Sequence, residues 1–262
     1  MLRLYACMVL EHDPYMAALA AAICVVPWVT AFPLARQIGS IALERRFRWF
    51  LLLAGVTGTG IWATHFVAML AYRPGLPTVF LAGPTVASIL IAVGSTYGGW
   101  RILYSGRTQA AAGAGAAFAI GTSAMHYTGM AALQLSGRFH HDVKIAGAAA
   151  VVGCILATFA ARVFIVRPKA AVAAGALLAS AICVIHFGSM TAVSIRADPS
   201  VHLPYASLDA DLLTGIVAMG VVALMGVALA TAIYEDRLTK AAMGETGRLK
   251  KFTQSALEGL VI

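Results

Sequence analysis

Seven apolar runs, each about 20 residues or longer and divided by short charged connections, constrain this chain more than any other feature. They read as residues 14–36, 48–71, 78–101, 110–134, 145–166, 170–193 and 212–234. A run of that length crosses a hydrocarbon layer as a helix, because lipid leaves backbone groups no partner outside their own segment. The Ala- and Leu-rich runs lack the apolar–polar alternation of a barrel strand. Composition agrees: 60% of the 262 residues are apolar and 11% charged, against about 25% charged in ordinary domains, which excludes a soluble enzyme. The first run is not a cleaved leader, since it follows the acidic stretch Glu11-His12-Asp13 and is one of several like it.

Charge placement sets an orientation. Counted on alternate sides of the spans, fourteen Lys and Arg fall on one side and five on the other, the poorer side also holding Asp198, Asp209 and Asp211. The positive-inside rule then puts the C-terminus in the cytoplasm and the N-terminus outside. The net charge of +8 reflects these loops and a basic tail. No basic face for nucleic acid is present.

The chain repeats a short pattern three times: Trp62-Ala-Thr-His-Phe-Val-Ala-Met69, Ser123-Ala-Met-His-Tyr-Thr-Gly-Met130 and Cys183-Val-Ile-His-Phe-Gly-Ser-Met190. His65, His126 and His186 are 61 and 60 residues apart, one pair of spans per step, so they fall on the second, fourth and sixth helices at one depth in the outer half of the bilayer. The expected fold is thus all-α, a polytopic membrane bundle of seven transmembrane helices built as three two-helix repeats plus a final helix. Met69, Met130 and Met190 follow their histidines by four residues, about one turn further out and roughly 40° around, so three His–Met pairs can converge. Imidazole suits copper, zinc or iron, and thioether sulfur favours copper. One such motif reads first as packing; three in matching positions point to a metal site.

The central repeat, Met125-His-Tyr-Thr128 followed by Gly129-Met130, resembles the signature of the MHYT domain, a bacterial seven-helix membrane sensor with three such motifs near the outer face. The resemblance covers residues 10–235 and includes His12-Asp13 at the entry to the first span. It implies a multi-pass protein of the bacterial inner membrane in which motif Met, His and Tyr residues hold copper and sense O2, CO or NO. It also implies a cytoplasmic output such as PAS, diguanylate cyclase (GGDEF) and cyclic-di-GMP phosphodiesterase (EAL) modules, or a kinase. The match is full at Met125, His126, Tyr127 and Met130. In the outer repeats Thr64 and Ile185 replace the first Met, and Phe66 and Phe187 replace Tyr. The expected ligands are His65, Met69, Met125, His126, Met130, His186 and Met190, with Tyr127 as a hydrogen-bonding neighbour. One ion, two ions or a subset of these residues all fit. Residues 1–235 form the expected sensor domain. The 236–262 stretch, ending Leu249-Lys-Lys-Phe through Gly259-Leu-Val-Ile262, reads as a linker and the entry to a truncated PAS-like module, and its paired outputs make a homodimer an expectation.

Other readings are weaker. Haem would need facing axial histidines, an alternative to copper that the spacing leaves open. Transport is disfavoured because no acid lies deep in a span. A retinal receptor needs a Schiff-base lysine, and none occurs between 212 and 234. An enzyme within this segment lacks a nucleophile–base pair or carboxylate dyad. His12 reads as an interfacial partner of Asp13, with a cap on the cluster as its second reading. Cys183 reads as a packing thiol, and His140, His141 and Asp142 as solvated loop chemistry.

Overall fold

A computed structural model describes residues 7, 9–40, 42–204 and 207–227, with isolated positions 229, 230, 233, 234 and 237 beyond them. The expected linker and PAS-like entry at 236–262 lie outside the described residues, save position 237. Seven long helices follow in order: α1 (Pro14–Gln37), α2 (Leu43–Ala71), α3 (Ala82–Leu103), α4 (Ala110–Ala132), α5 (Val143–Val166), α6 (Ala171–Thr191) and α7 (Ala210–Val227). Short 3-10 turns follow α1 at Ile38–Ser40 and α5 at Pro168–Ala170. Six of the seven, all but α4, are long and apolar enough to cross a membrane, so the chain is a multi-pass membrane bundle. Helix α4 has the length, 23 residues, but carries Thr122, Ser123, His126, Tyr127 and Thr128.

Local chemistry explains the ends. Asp13 caps α1, accepting from the backbone N–H of Tyr15 and Met16 at 3.0 and 3.1 Å, with Pro14 in the first turn where its missing N–H costs nothing. Asp142 caps α5 in the same way through Lys144 and Ile145. In lipid the helices gain nothing from burying apolar surface against one another, so close backbone approach and shared hydrogen bonds hold them. At Gly58 a Cβ would stand 2.6 Å from the Cα of Val93, which lets α2 and α3 touch. Nearby, Trp100 Nε1 donates to Thr57 Oγ1 at 3.2 Å, and Trp62 Nε1 to Ser88 Oγ at 3.1 Å. An aromatic cluster of Trp28, Phe32, Trp100, Phe118 and Phe164 fills the half of the bundle away from the histidines. Helix α2 is the most enclosed of the six apolar helices.

The connections expected as loops contain strands. β1 (Thr78–Phe80) pairs antiparallel with β2 (Leu133–Leu135), and β3 (Gly137–His141) with β4 (Val193–Ala197). β2 follows α4 directly, β1 follows α2 after a turn, and β4 follows α6. The ends of the three histidine-bearing helices are therefore laced together by main-chain hydrogen bonds. The His12–Tyr72 and Phe80–Leu208 bridges join the entries of α1 and α7 to the same collar. Within it, Arg138 of β3 pairs with Asp198, just past β4, at 2.9 Å. That carboxyl is held below its ordinary range by the Ser200 hydroxyl and N–H and by Arg138.

Candidate metal centre

Because α2, α4 and α6 run the same way and share the collar, residues one repeat apart face one another. His65, His126 and His186 meet in the bundle interior, exposed by 2, 1 and 5%. Nδ1 of His65 lies 3.2 Å from Nδ1 of His186 and 3.2 Å from Nδ1 of His126. The ring centres are 5.0, 5.3 and 5.2 Å apart, each pair edge to face. None of the three Nε2 atoms has a hydrogen-bond partner in the protein. Among the described residues this is the only His, Cys and carboxylate group of metal-holding geometry.

Hydrogen bonding alone does not account for that arrangement. A neutral imidazole offers one N–H and one lone pair. The Nδ1 of His65 can give or accept one proton, yet it faces two nitrogens, so one contact stays unpaired, and buried groups left so are costly. A shared cation satisfies all three nitrogens at once. With metal–nitrogen bonds of about 2.0 Å, two nitrogens at a tetrahedral angle lie about 3.3 Å apart, and their ring centres about 5.1 Å apart. The observed spacings fit that set, so the residues present fit a single ion.

The remaining expected ligands separate. A cavity of ≈ 20 Å³ beside the triad is lined by Met125, together with Thr64, Thr122 and Cys183. Met125 thus stands with the histidines, and Cys183, expected as a packing thiol, shares their cavity. Met69, Met130 and Met190 are buried and line no part of it. Met190 lines a separate cavity of ≈ 690 Å³ on the collar side. Tyr127 is 36% exposed. It donates to Ser189 Oγ of α6 at 3.2 Å, and its ring packs edge-on against His126 at 5.1 Å and His141 at 6.1 Å.

Two residues gain importance. Gly129 admits the ring of His65: a Cβ there would overlap Nε2 of that histidine. His12 does not pair with Asp13, which instead caps α1 and bonds Arg73 at 2.5 Å. His12 is 2% exposed, its Nδ1 bonds the Cys7 carbonyl oxygen at 2.7 Å, and its ring lies 6.3 Å from that of His186. Burial holds its imidazole below the ordinary histidine range, against the opposing pulls of the Cys7 carbonyl and the Glu11 charge. Its position in the sequence, just before an N-cap Asp, was the one signal pointing to it.

Residues 58–116 and 120–176 match the MHYT family, described as a bacterial signalling protein N-terminal repeat. The chain therefore carries two MHYT signalling repeats within a multi-pass membrane bundle. The matched stretches contain His65 and His126, while the third repeat with His186 lies beyond them. An uncharacterized signaling protein of Caulobacter vibrioides is 31% identical over 99% of this chain and 32% of its own length. The cyclic di-GMP phosphodiesterase NbdA of Pseudomonas aeruginosa is 29% identical over 81% of this chain and 29% of its own. The bifunctional diguanylate cyclase/cyclic di-GMP phosphodiesterase MucR of the same organism is 27% identical over 87% and 35%. The chain spans about a third of the length of these curated relatives. No solved structure matches it.

Proposed function

We infer that this chain is the sensing part of a membrane signalling protein in which His65, His126 and His186, with Met125 beside them, hold one copper ion. The observation that carries this reading is the approach of the His126 and His186 Nδ1 atoms to that of His65, each at 3.2 Å, in an apolar interior. Zinc would suit three imidazoles equally; the adjacent Met125 thioether favours copper, and Cu(I) in particular. A cavity of ≈ 20 Å³ with ring centres 5.0 to 5.3 Å apart leaves no slot for a haem macrocycle, which favours a single ion. When bound, copper supplies a one-electron couple and an open coordination position suited to O2, CO or NO.

The chain's own part is to hold three lone pairs on one centre, exclude water and keep charge out of the site. On the charge asymmetry, the seven helices span the bacterial inner membrane with the N-terminus outside and the C-terminus in the cytoplasm. Ligand state alters the packing of α2, α4 and α6 and passes through α7 to a cytoplasmic output. The names of the Pseudomonas relatives favour cyclic-di-GMP turnover as that output, carried in sequence outside the matched stretch. Coupling of this kind needs a ligand that binds two packing states unequally.

The test is elemental analysis and a visible spectrum of the purified protein beside the His65→Ala, His126→Ala, His186→Ala triple variant. Stoichiometric copper in the first and none in the second is the expected result. Absence of copper from both, even after added Cu(I) and Cu(II), would sink the copper site.

A further inference from the structure

His12 is a buried imidazole outside the triad, and its chemistry is set by its neighbours. The Cys7 carbonyl can only accept, so the 2.7 Å contact makes Nδ1 of His12 the N–H and leaves Nε2 with the lone pair. That lone pair is buried without a protein partner. A ring N–H anchored on a backbone carbonyl, with the other nitrogen bare, is the usual arrangement of a metal-binding histidine. Tyr72 and Phe187 pack against the ring at 5.2 and 5.4 Å and hold it in place.

Its distance from the triad has meaning. Two imidazoles on one ion, with bonds of about 2.0 Å, have ring centres about 5.1 Å apart at a tetrahedral angle and about 6.3 Å apart when directly opposed. The triad shows the first spacing, and the His12–His186 ring centres, 6.3 Å apart, lie within the span that one shared ion can bridge. Opposed two-nitrogen coordination suits a soft monovalent cation. His186 belongs to both sets.

Beyond His12 the donors continue. Cys7, whose carbonyl anchors His12, lines the ≈ 690 Å³ collar-side cavity with Glu11, His140, His141, Asp142 and Met190. Thiol, thioether and imidazole are donors that suit copper, and the two carboxylates, which outweigh the one lysine of that wall, Lys144, draw a cation toward them. Met190 is four residues beyond His186 on α6, so one helix runs from the triad to the wall.

We propose that the collar-side cavity is the loading port of the triad and that His12 is its hand-over ligand, taking a soft monovalent cation from the port and sharing it with His186 before the triad closes around it. This rests on the triad being a metal site. No oxidation or reduction is involved; one nitrogen replaces another on the same ion. A ligand of passage speeds entry and exit together, so its loss slows both and leaves the final affinity alone.

The experiment follows Cu(I) transfer between the full chain in lipid nanodiscs and a chromophoric chelator by stopped flow, with equilibrium stoichiometry measured in parallel. Wild type, His12→Ala, His12→Gln, His12→Met and His186→Ala are compared. Expected are one ion per chain in wild type and in all three His12 variants, and none in His186→Ala. Uptake and release should both slow by about tenfold or more, one step of barrier height, in His12→Ala and His12→Gln, with recovery in His12→Met, which restores a soft donor. Wild-type rates in His12→Ala and His12→Gln would overturn the hand-over while leaving the triad intact. Loss of the ion in the His12 variants would overturn it by making His12 a ligand of the final site. No ion in wild type, or full retention in His186→Ala, would overturn the metal site and the port together.

Discussion

Gly129→Ala gives the sharpest test of the centre, because it adds one methyl at a known place. The new Cβ would overlap Nε2 of His65 and stand 2.8 Å from its Cδ2, where ordinary contact starts at 3.4 Å. The ring must therefore retreat by about 1 Å, since repulsion rises steeply inside the contact distance. Overpacking of this kind costs about 1–3 kcal/mol, and the gain in helix propensity returns up to about 1 kcal/mol, leaving a net loss of about 0–2 kcal/mol. The loss of copper affinity should be larger in proportion. Moving His65 pulls its Nδ1 away from the two nitrogens now at 3.2 Å, and misplacement of a ligand commonly costs about 10–100-fold in metal affinity. Chelator competition for Cu(I) and thermal unfolding in detergent measure the two effects. The control is Gly94→Ala on α3, where nothing lies within 4 Å of the added Cβ; it should keep wild-type affinity and unfold no earlier. Wild-type copper affinity in Gly129→Ala would refute the reasoning, since it would mean that the seat of His65 does not govern binding.

Copper at about 100 times its dissociation constant should stabilise the protein by about 2.7 kcal/mol, and in the triple histidine variant that increment, read as a shift in unfolding temperature, should vanish. Met125→Leu should weaken Cu(I) relative to Zn(II), whereas Met69→Leu and Met130→Leu should leave both affinities within error, as competition titrations would reveal. Asp13→Ala removes the cap of α1 and should cost about 1 kcal/mol, measurable by denaturation in mixed micelles. Asp198 is only partly exposed, and its partners hold its folded pKa below the unfolded value of 3.8. Its stabilising contribution is present above that pH and fades as pH falls through the lower folded value. Asp198→Asn should therefore differ from wild type near neutral pH and converge with it under strong acid, as unfolding temperatures across the pH range would show.

The spans and the histidine face were readable because both depend on spacing along one helix at a time. Apolar length marks a membrane helix, and intervals of 61 and 60 residues place three side chains at one depth. Helix ends moved by a few residues where capping decided them, as at Asp142, which starts α5 at Val143. The strands escaped notice because β1 and β2 have three residues each and β3 and β4 five. Yet Val193-Ser-Ile-Arg196 alternates apolar and polar in the manner of a half-buried strand. His12 was hidden because its burial comes from Tyr72 and Phe187, residues 60 and 175 positions away.

The collar has a mechanical consequence. Strands β1 to β4 fasten the C-terminal ends of α2, α4 and α6, which makes that end a hinge and leaves the opposite end as the free arm of a lever. A helix of about 20 residues is about 30 Å long, so a tilt of about 3° at the collar displaces the far end by about 1.5 Å. Small adjustments around three imidazoles near the fulcrum thus emerge, enlarged, on the other side of the membrane.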